Sequence, residues 1–129
     1  HVTVPLDRRT DIDTVRDFAQ KISQSVADAS PGRFTTAHRL NKRRGRVYLD
    51  TRRNAFNQTA VAPYSVRGKA RAPIATPLDW DELSDNGIGP RRYRVGNIFR
   101  RLGQRDCPWV DINQCGQSLD RAYEKLRNR

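Results

Sequence analysis

Lys42-Arg43-Arg44-Gly45-Arg46-Val47-Tyr48-Leu49-Asp50-Thr51-Arg52-Arg53 reads as a short apolar strand, residues 47–49, entered from a basic turn and left through one carboxylate with two arginines behind it. A carboxylate at a strand end can ligate a divalent cation, and guanidinium groups beside it can neutralise phosphate oxygens. A polyphosphate and its metal ion need that combination. The alternative is a surface Asp50 ion-paired to Arg52 or Arg53, beside a basic hairpin that is merely solvated.

The rest of the chain leans the same way. Its 129 residues fit one domain, yet only 36% are hydrophobic and 30% are charged. A net charge of +11 points to a polyanionic partner such as DNA, RNA, a nucleotide or an anionic surface. No stretch approaches the roughly 18 apolar residues of a membrane span, so a soluble, cytoplasmic protein is expected. Cys107 and Cys115 form no C-x-x-C pair and lie far from His1 and His38, which argues against zinc and for two cytosolic thiols. Methionine is absent, and the chain opens directly on the alternating run His1-Val2-Thr3-Val4-Pro5. The expectation is a piece of a longer polypeptide whose upstream half would complete the thin core.

Taken in order, Val2 and Val4 read as a strand ended by Pro5. A helix capped by Asp11 or Asp13 is expected to run to Ala29, with Val15, Phe18, Ala19, Ile22 and Val26 on one stripe, stopped by Ser30-Pro31-Gly32. Residues 34–41 read as a polar connector with one helical turn. Residues 59–64 read as a second strand antiparallel to 47–49, with Pro63 placing it at an edge or bulge. In residues 65–71, extended backbone would put Arg67, Lys69 and Arg71 on one face, either as a phosphate-binding wall or as a charge-protected edge. Residues 72–78 read as an extended linker and 79–83 as a short helix docking Trp80 and Leu83. A second short helix within 93–102 is expected to turn Val95, Ile98, Phe99 and Leu102 inward and Arg100 and Arg101 outward. The tail from Val110 to Arg129 reads as a helix with Leu119, Ala122, Tyr123 and Leu126 inward.

Six segments in order carry a family resemblance. They are His-Val-Thr-Val-Pro-Leu (1–6), Arg-Phe-Thr-Thr (33–36), Gly-Arg-Val-Tyr-Leu-Asp (45–50), Thr-Ala-Val-Ala-Pro-Tyr-Ser-Val-Arg (59–67), Ala-Pro-Ile-Ala-Thr-Pro-Leu-Asp-Trp-Asp-Glu-Leu (72–83) and Asp-Cys-Pro-Trp (106–109). Together they resemble the C-terminal part of the polymerase–primase domain of the bacterial ATP-dependent DNA ligase of non-homologous end joining. That domain belongs to the archaeo-eukaryotic primase superfamily. The resemblance implies an α+β fold: an RNA-recognition-motif-like antiparallel or mixed sheet with packed helices. It further implies nucleotide addition at primer 3′-ends by metal-dependent phosphoryl transfer.

By the same resemblance, Asp50 is the catalytic, metal-side carboxylate closing the third family motif. The Asp-x-Asp pair that completes the site is absent, since Asp11-x-Asp13 follows His1 instead of preceding it and reads as a helix cap. His1, Arg53, Arg67 and Lys69 fall to the nucleotide phosphates, and Arg43 to the DNA. Arg44, Arg46 and Arg52 of the basic turn join the DNA side. The implied cofactor is Mn2+ or Mg2+, shared with carboxylates outside this chain. The implied partners are DNA ends or a primer–template, an NTP or dNTP, a ligase domain and a Ku-type end-binding protein, in the bacterial nucleoid. The competing reading is a stand-alone basic module that binds nucleic acid or nucleotide without catalysis.

Overall fold

Asp11 opens α1 (Ile12–Ala29) in the computed structural model, which describes residues 1–128. Its Oδ1 accepts from the Thr14 amide at 2.9 Å and its Oδ2 from Thr14 Oγ1 at 2.6 Å, so the Asp-x-Asp letters are a helix cap. Arg16 pairs with Asp13 and Lys21 with Asp17, each at 2.7 Å and one turn apart. Val15, Phe18 and Ala19 are half-buried as expected. The buried positions further along are Ser23 and Ala27, while Ile22 and Val26 are each 40% exposed. The helix lies against a strand, and small side chains at 23 and 27 permit that close approach. The contacting face is therefore one residue round from the apolar stripe.

That strand is β1 (Phe34–Thr35), inside the stretch expected to be a connector. It pairs in parallel with β2 (Val47–Tyr48), in the register Phe34↔Val47 and Thr35↔Tyr48. A parallel pair needs a crossover, and residues 36–46 supply it through α2 (Leu40–Arg43). Residues 59–64 form no strand, contrary to expectation. Pro63 has no amide to donate, and Tyr64 sits in the left-handed region at φ 60°, where a strand cannot continue.

The chain separates into two compact units, residues 1–59 with 115–128, and residues 60–114. In the first unit, α4 (Asp120–Arg127) docks on α1 through Tyr123. The Tyr123 ring lies 4.8 Å from Phe18, and its hydroxyl donates to Thr14 O at 3.2 Å and to Asp17 Oδ2 at 3.1 Å. Leu119 is buried just before α4, and Ala122, Tyr123 and Leu126 are half-buried. The helix is shorter than expected. Residues 112–114 form only a short 3-10 turn, and Arg129 lies outside the described residues. Val2 and Val4 are exposed and in no strand; the terminal pairing falls instead on a single bridge from Leu6 to Gln117.

The second unit is built on a hairpin. Val66 bridges Ile74 and Pro73 bridges Arg94, both antiparallel, so residues 72–75 are the middle of three segments and not a linker. With the parallel β1–β2 pair, the architecture is α+β with mixed pairing. Residues 81–84 form a 3-10 helix and residues 98–102 form α3 (Ile98–Leu102). Ile98 is buried as expected. Trp80, Leu83, Val95, Phe99 and Leu102 are exposed, and in their place Glu82 and Arg101 are buried as a pair. Among the described residues, no helix is long and apolar enough to cross a membrane.

Candidate functional site

Both strands of a parallel pair end on the same side, and open α/β sheets bind ligands beyond those carboxyl ends. Asp50 stands there. The Leu49 amide extends the pairing to Thr35 O at 2.9 Å, and the chain then leaves the sheet. Asp50 is exposed, and its Oδ1 accepts from the Arg52 amide at 3.0 Å in an Asx-type turn. Among the described residues no cation forms an ion pair with it, so the pairing with Arg52 or Arg53 is not what holds it. Arg53 is exposed, and its Nη1 donates to Gln58 Oε1 at 3.3 Å.

Beside this strand end lies a cleft of about 290 Å³ reached by Gln20 and Gln24 of α1, by Thr36, and by Tyr48, Thr51 and Arg52. Thr36 Oγ1 donates to Gln24 Oε1 at 2.9 Å, and Gln24 Nε2 donates to Asp28 Oδ1 at 2.8 Å. The cleft is thus neutral and polar except for the Arg52 guanidinium. Nothing in the sequence marked Gln20 or Gln24. Gln20 and Gln24 sit on a helix about thirty residues before Asp50, and only the parallel pairing brings them near.

The basic turn divides its arginines by what they touch. Arg44 has φ 50° at the end of α2 and Gly45 follows at φ 75°, two left-handed positions that reverse the chain. Arg46 sends all three nitrogens to main-chain carbonyls: Nε to Arg43 O at 2.9 Å, Nη2 to Lys42 O at 3.0 Å and Nη1 to Pro31 O at 3.3 Å. Arg43 lies 4.2 Å over the Tyr48 ring and donates from Nη2 to His38 O at 2.8 Å. Its Nε is buried without a partner. Arg44 and Arg52 keep exposed side chains. Both were expected on the DNA side together with Arg43 and Arg46, whose heads also stitch the turn.

In the second unit, Arg67 and Lys69 are exposed on the tip of the hairpin, with Arg71 beyond them. The tip is a tight reversal, with the Arg67 amide on Pro73 O at 2.8 Å and the Ala72 amide on Lys69 O at 3.0 Å. The three cations therefore ride a turn and not an extended wall. Arg71 and Ala72 both have positive φ, 68° and 45°. Arg101, expected outside, is instead buried as a fork: it grips both Glu82 oxygens and donates to Tyr93 Oη and Pro77 O, each at 3.0 Å. This hydrogen bonding holds the Glu82 carboxyl at about 2, from 4.5, and raises the Arg101 guanidinium. Among the described residues, no group of three His, Cys, Asp or Glu side chains is placed to hold a metal. His1 is exposed.

The family model for the LigD primase-polymerase domain matches residues 1–109. The chain belongs to the LigD primase-polymerase family. It is 34% identical over its whole length to the multifunctional non-homologous end joining protein LigD of Pseudomonas aeruginosa, covering 16% of that protein. It is 30% identical over 88% of its length to the bifunctional LigD of Bacillus subtilis, covering 19% of it. The chain thus spans under a fifth of these relatives. The polymerase domain of Mycobacterium tuberculosis ligase D, solved in complex with DNA, superposes with a TM-score of 0.77 at 24% identity, over 87% of this chain and 38% of that one. The α+β fold is shared with this LigD polymerase domain.

Proposed function

We propose that this chain supplies part of the nucleotidyl-transfer centre of a polymerase acting in non-homologous end joining. The observation that carries the reading is Asp50, an exposed carboxylate at the carboxyl end of a parallel strand pair, in no ion pair among the described residues and followed by the exposed side chains of Arg52 and Arg53. Support comes from the family, whose relatives are named as end-joining proteins, and from a structural neighbour that was solved with DNA.

A hard divalent cation takes about six oxygen ligands, and these residues do not provide them. Asp50 would give one carboxylate to Mn2+ or Mg2+, with the remaining ligands outside the described residues. Such an ion stabilises charge on the phosphoryl oxygens. The chain's own part is electrostatic. His1 and Arg53 of the first unit, and separately Arg67 and Lys69 of the second, are assigned to the phosphates of the incoming NTP or dNTP, and Arg44 and Arg52 to the primer–template backbone. Arg43 and Arg46 shape the turn that presents them. A ligase domain and a Ku-type end-binding protein are the expected partners of the parent polypeptide.

The competing reading is a basic binding module without chemistry, in which the exposed arginines meet nucleic acid and Asp50 holds no metal. Mn2+-dependent extension of a gapped primer–template separates the two. The isolated chain should bind the duplex but not extend it. Joined behind the preceding part of a LigD polymerase domain, it should extend, and Asp50→Asn should abolish extension with the fold intact, because Asn Oδ1 can still accept from the Arg52 amide. Extension by the isolated chain, or wild-type extension by the Asp50→Asn fusion, would refute this assignment.

A further inference from the structure

We infer that the buried Glu82–Arg101 pair positions the basic hairpin, so that Arg101 acts as a positioning residue for Arg67 and Lys69. This rests on the reading that those two cations meet phosphate. Arg101 joins four segments of the second unit. It grips both oxygens of Glu82 on the 3-10 helix, donates to Tyr93 Oη and Pro77 O, and stacks 4.8 Å over the Tyr93 ring. Glu82 Oε2 in turn accepts from the Asp79 amide at 2.9 Å.

Two of these anchor points are the roots of the hairpin. Tyr93 O receives the Ile74 amide at 2.9 Å, and the Val95 amide reaches Ala72 O at 3.3 Å. Pro77 lies two residues beyond the middle segment, residues 72–75. The outer segment then hangs on the middle one through the Tyr64 amide to Ala75 O at 2.7 Å and the Arg67 amide to Pro73 O at 2.8 Å. The tip carries two consecutive left-handed residues, Arg71 and Ala72, which local preference does not favour. Fully buried apolar side chains are few in this unit, Pro73, Pro77 and Ile98, so the buried ion pair carries a large share of the constraint. Replacing a buried ion pair by apolar residues is often neutral for stability, so the role assigned to this pair is geometric.

Binding of a gapped DNA duplex by the full chain, followed as log K against log salt, tests this, since each lost phosphate contact lowers the slope by about 0.9. Arg67→Ala/Lys69→Ala should lower the slope by about 1.8. Glu82→Leu/Arg101→Met should match that loss while its thermal midpoint stays near wild type, and the quadruple variant should lose nothing more. Should the Leu/Met double variant not fold, Arg101→Lys is the second variant, keeping the charge and losing the fork. It should show the same loss of slope. A wild-type slope in the folded Glu82/Arg101 variant, with the hairpin variant impaired, overturns the positioning role alone. A wild-type slope in Arg67→Ala/Lys69→Ala overturns the phosphate-binding reading of the hairpin, and the inference with it.

Discussion

Glu82→Gln removes one charge from the buried pair and leaves the Arg101 guanidinium buried with only Tyr93 Oη, Pro77 O and a neutral amide around it. Breaking such a pair from one side costs about 3–5 kcal/mol. The proton linkage gives a second, independent figure. A carboxyl held at about 2 instead of 4.5 contributes about 3 kcal/mol. Because the folded-state value is the depressed one, that stability is fully present above pH 4.5 and is lost as pH falls toward 2. Against a total stability of about 5–15 kcal/mol, the loss is large. Trp80 and Trp109 are the only tryptophans and both lie in the second unit, so their fluorescence reports its unfolding. Urea titrations at pH 7 should show Glu82→Gln less stable by about 3 kcal/mol, with the denaturant slope unchanged. Wild type should fall toward the variant as the buffer is taken from pH 5 to pH 2. A variant within about 1 kcal/mol of wild type at pH 7, with the same acid profile, would refute the buried pair as the unit's keystone.

Other outcomes follow from individual contacts. Arg46→Ala removes three donors to main-chain carbonyls and should cost about 2 kcal/mol in a urea titration followed by circular dichroism. Asp11→Ala should lower the helical signal of α1. In wild type the same signal should weaken in acid as Asp11, held below 3.8 by the Thr14 side chain and amide, takes up a proton. Tyr123→Phe keeps the ring on Phe18 but drops the hydroxyl bonds to Thr14 O and Asp17, so hydrogen exchange should show α4 opening more readily with α1 intact.

Helix α1 was legible because eighteen residues repeat the helical period and begin at a capping Asp. The cap was readable and the buried face was not, because burial was decided by how closely Ser23 and Ala27 let the helix approach β1. A two-residue parallel strand such as β1 leaves no alternation to detect, and its partner lies thirteen residues on, past a crossover. Asp50 and its flanking arginines could be named from the sequence, since strand, carboxylate and cations are contiguous there. The polar cleft could not, because it depends on the fold bringing α1 to the strand end. Arg101 was misplaced for a related reason. Charge predicts exposure, and nothing local signals that Glu82, nineteen residues earlier, will bury with it.

Net charge overstates how much of this chain is free to meet DNA. If every cation of the basic turn met a phosphate, Lys42, Arg43, Arg44, Arg46, Arg52 and Arg53 would contribute about 5.4 to the salt slope at roughly 0.9 each. The hydrogen bonds say otherwise. Arg46 gives three of its five N–H donors to carbonyls, and Arg43 is held between the Tyr48 ring and His38 O. The remaining heads, Lys42, Arg44, Arg52 and Arg53, can contribute about 3.6. Alanine at each of those four should lower the slope by about 0.9 and leave stability nearly unchanged. Alanine at Arg43 or Arg46 should do the reverse, lowering stability while moving the slope little once the variant is folded. Equal slope losses at all six positions would mean that DNA pulls Arg43 and Arg46 from their carbonyls. The turn would then be remodelled on binding, and its unbound geometry would no longer predict which arginines meet phosphate.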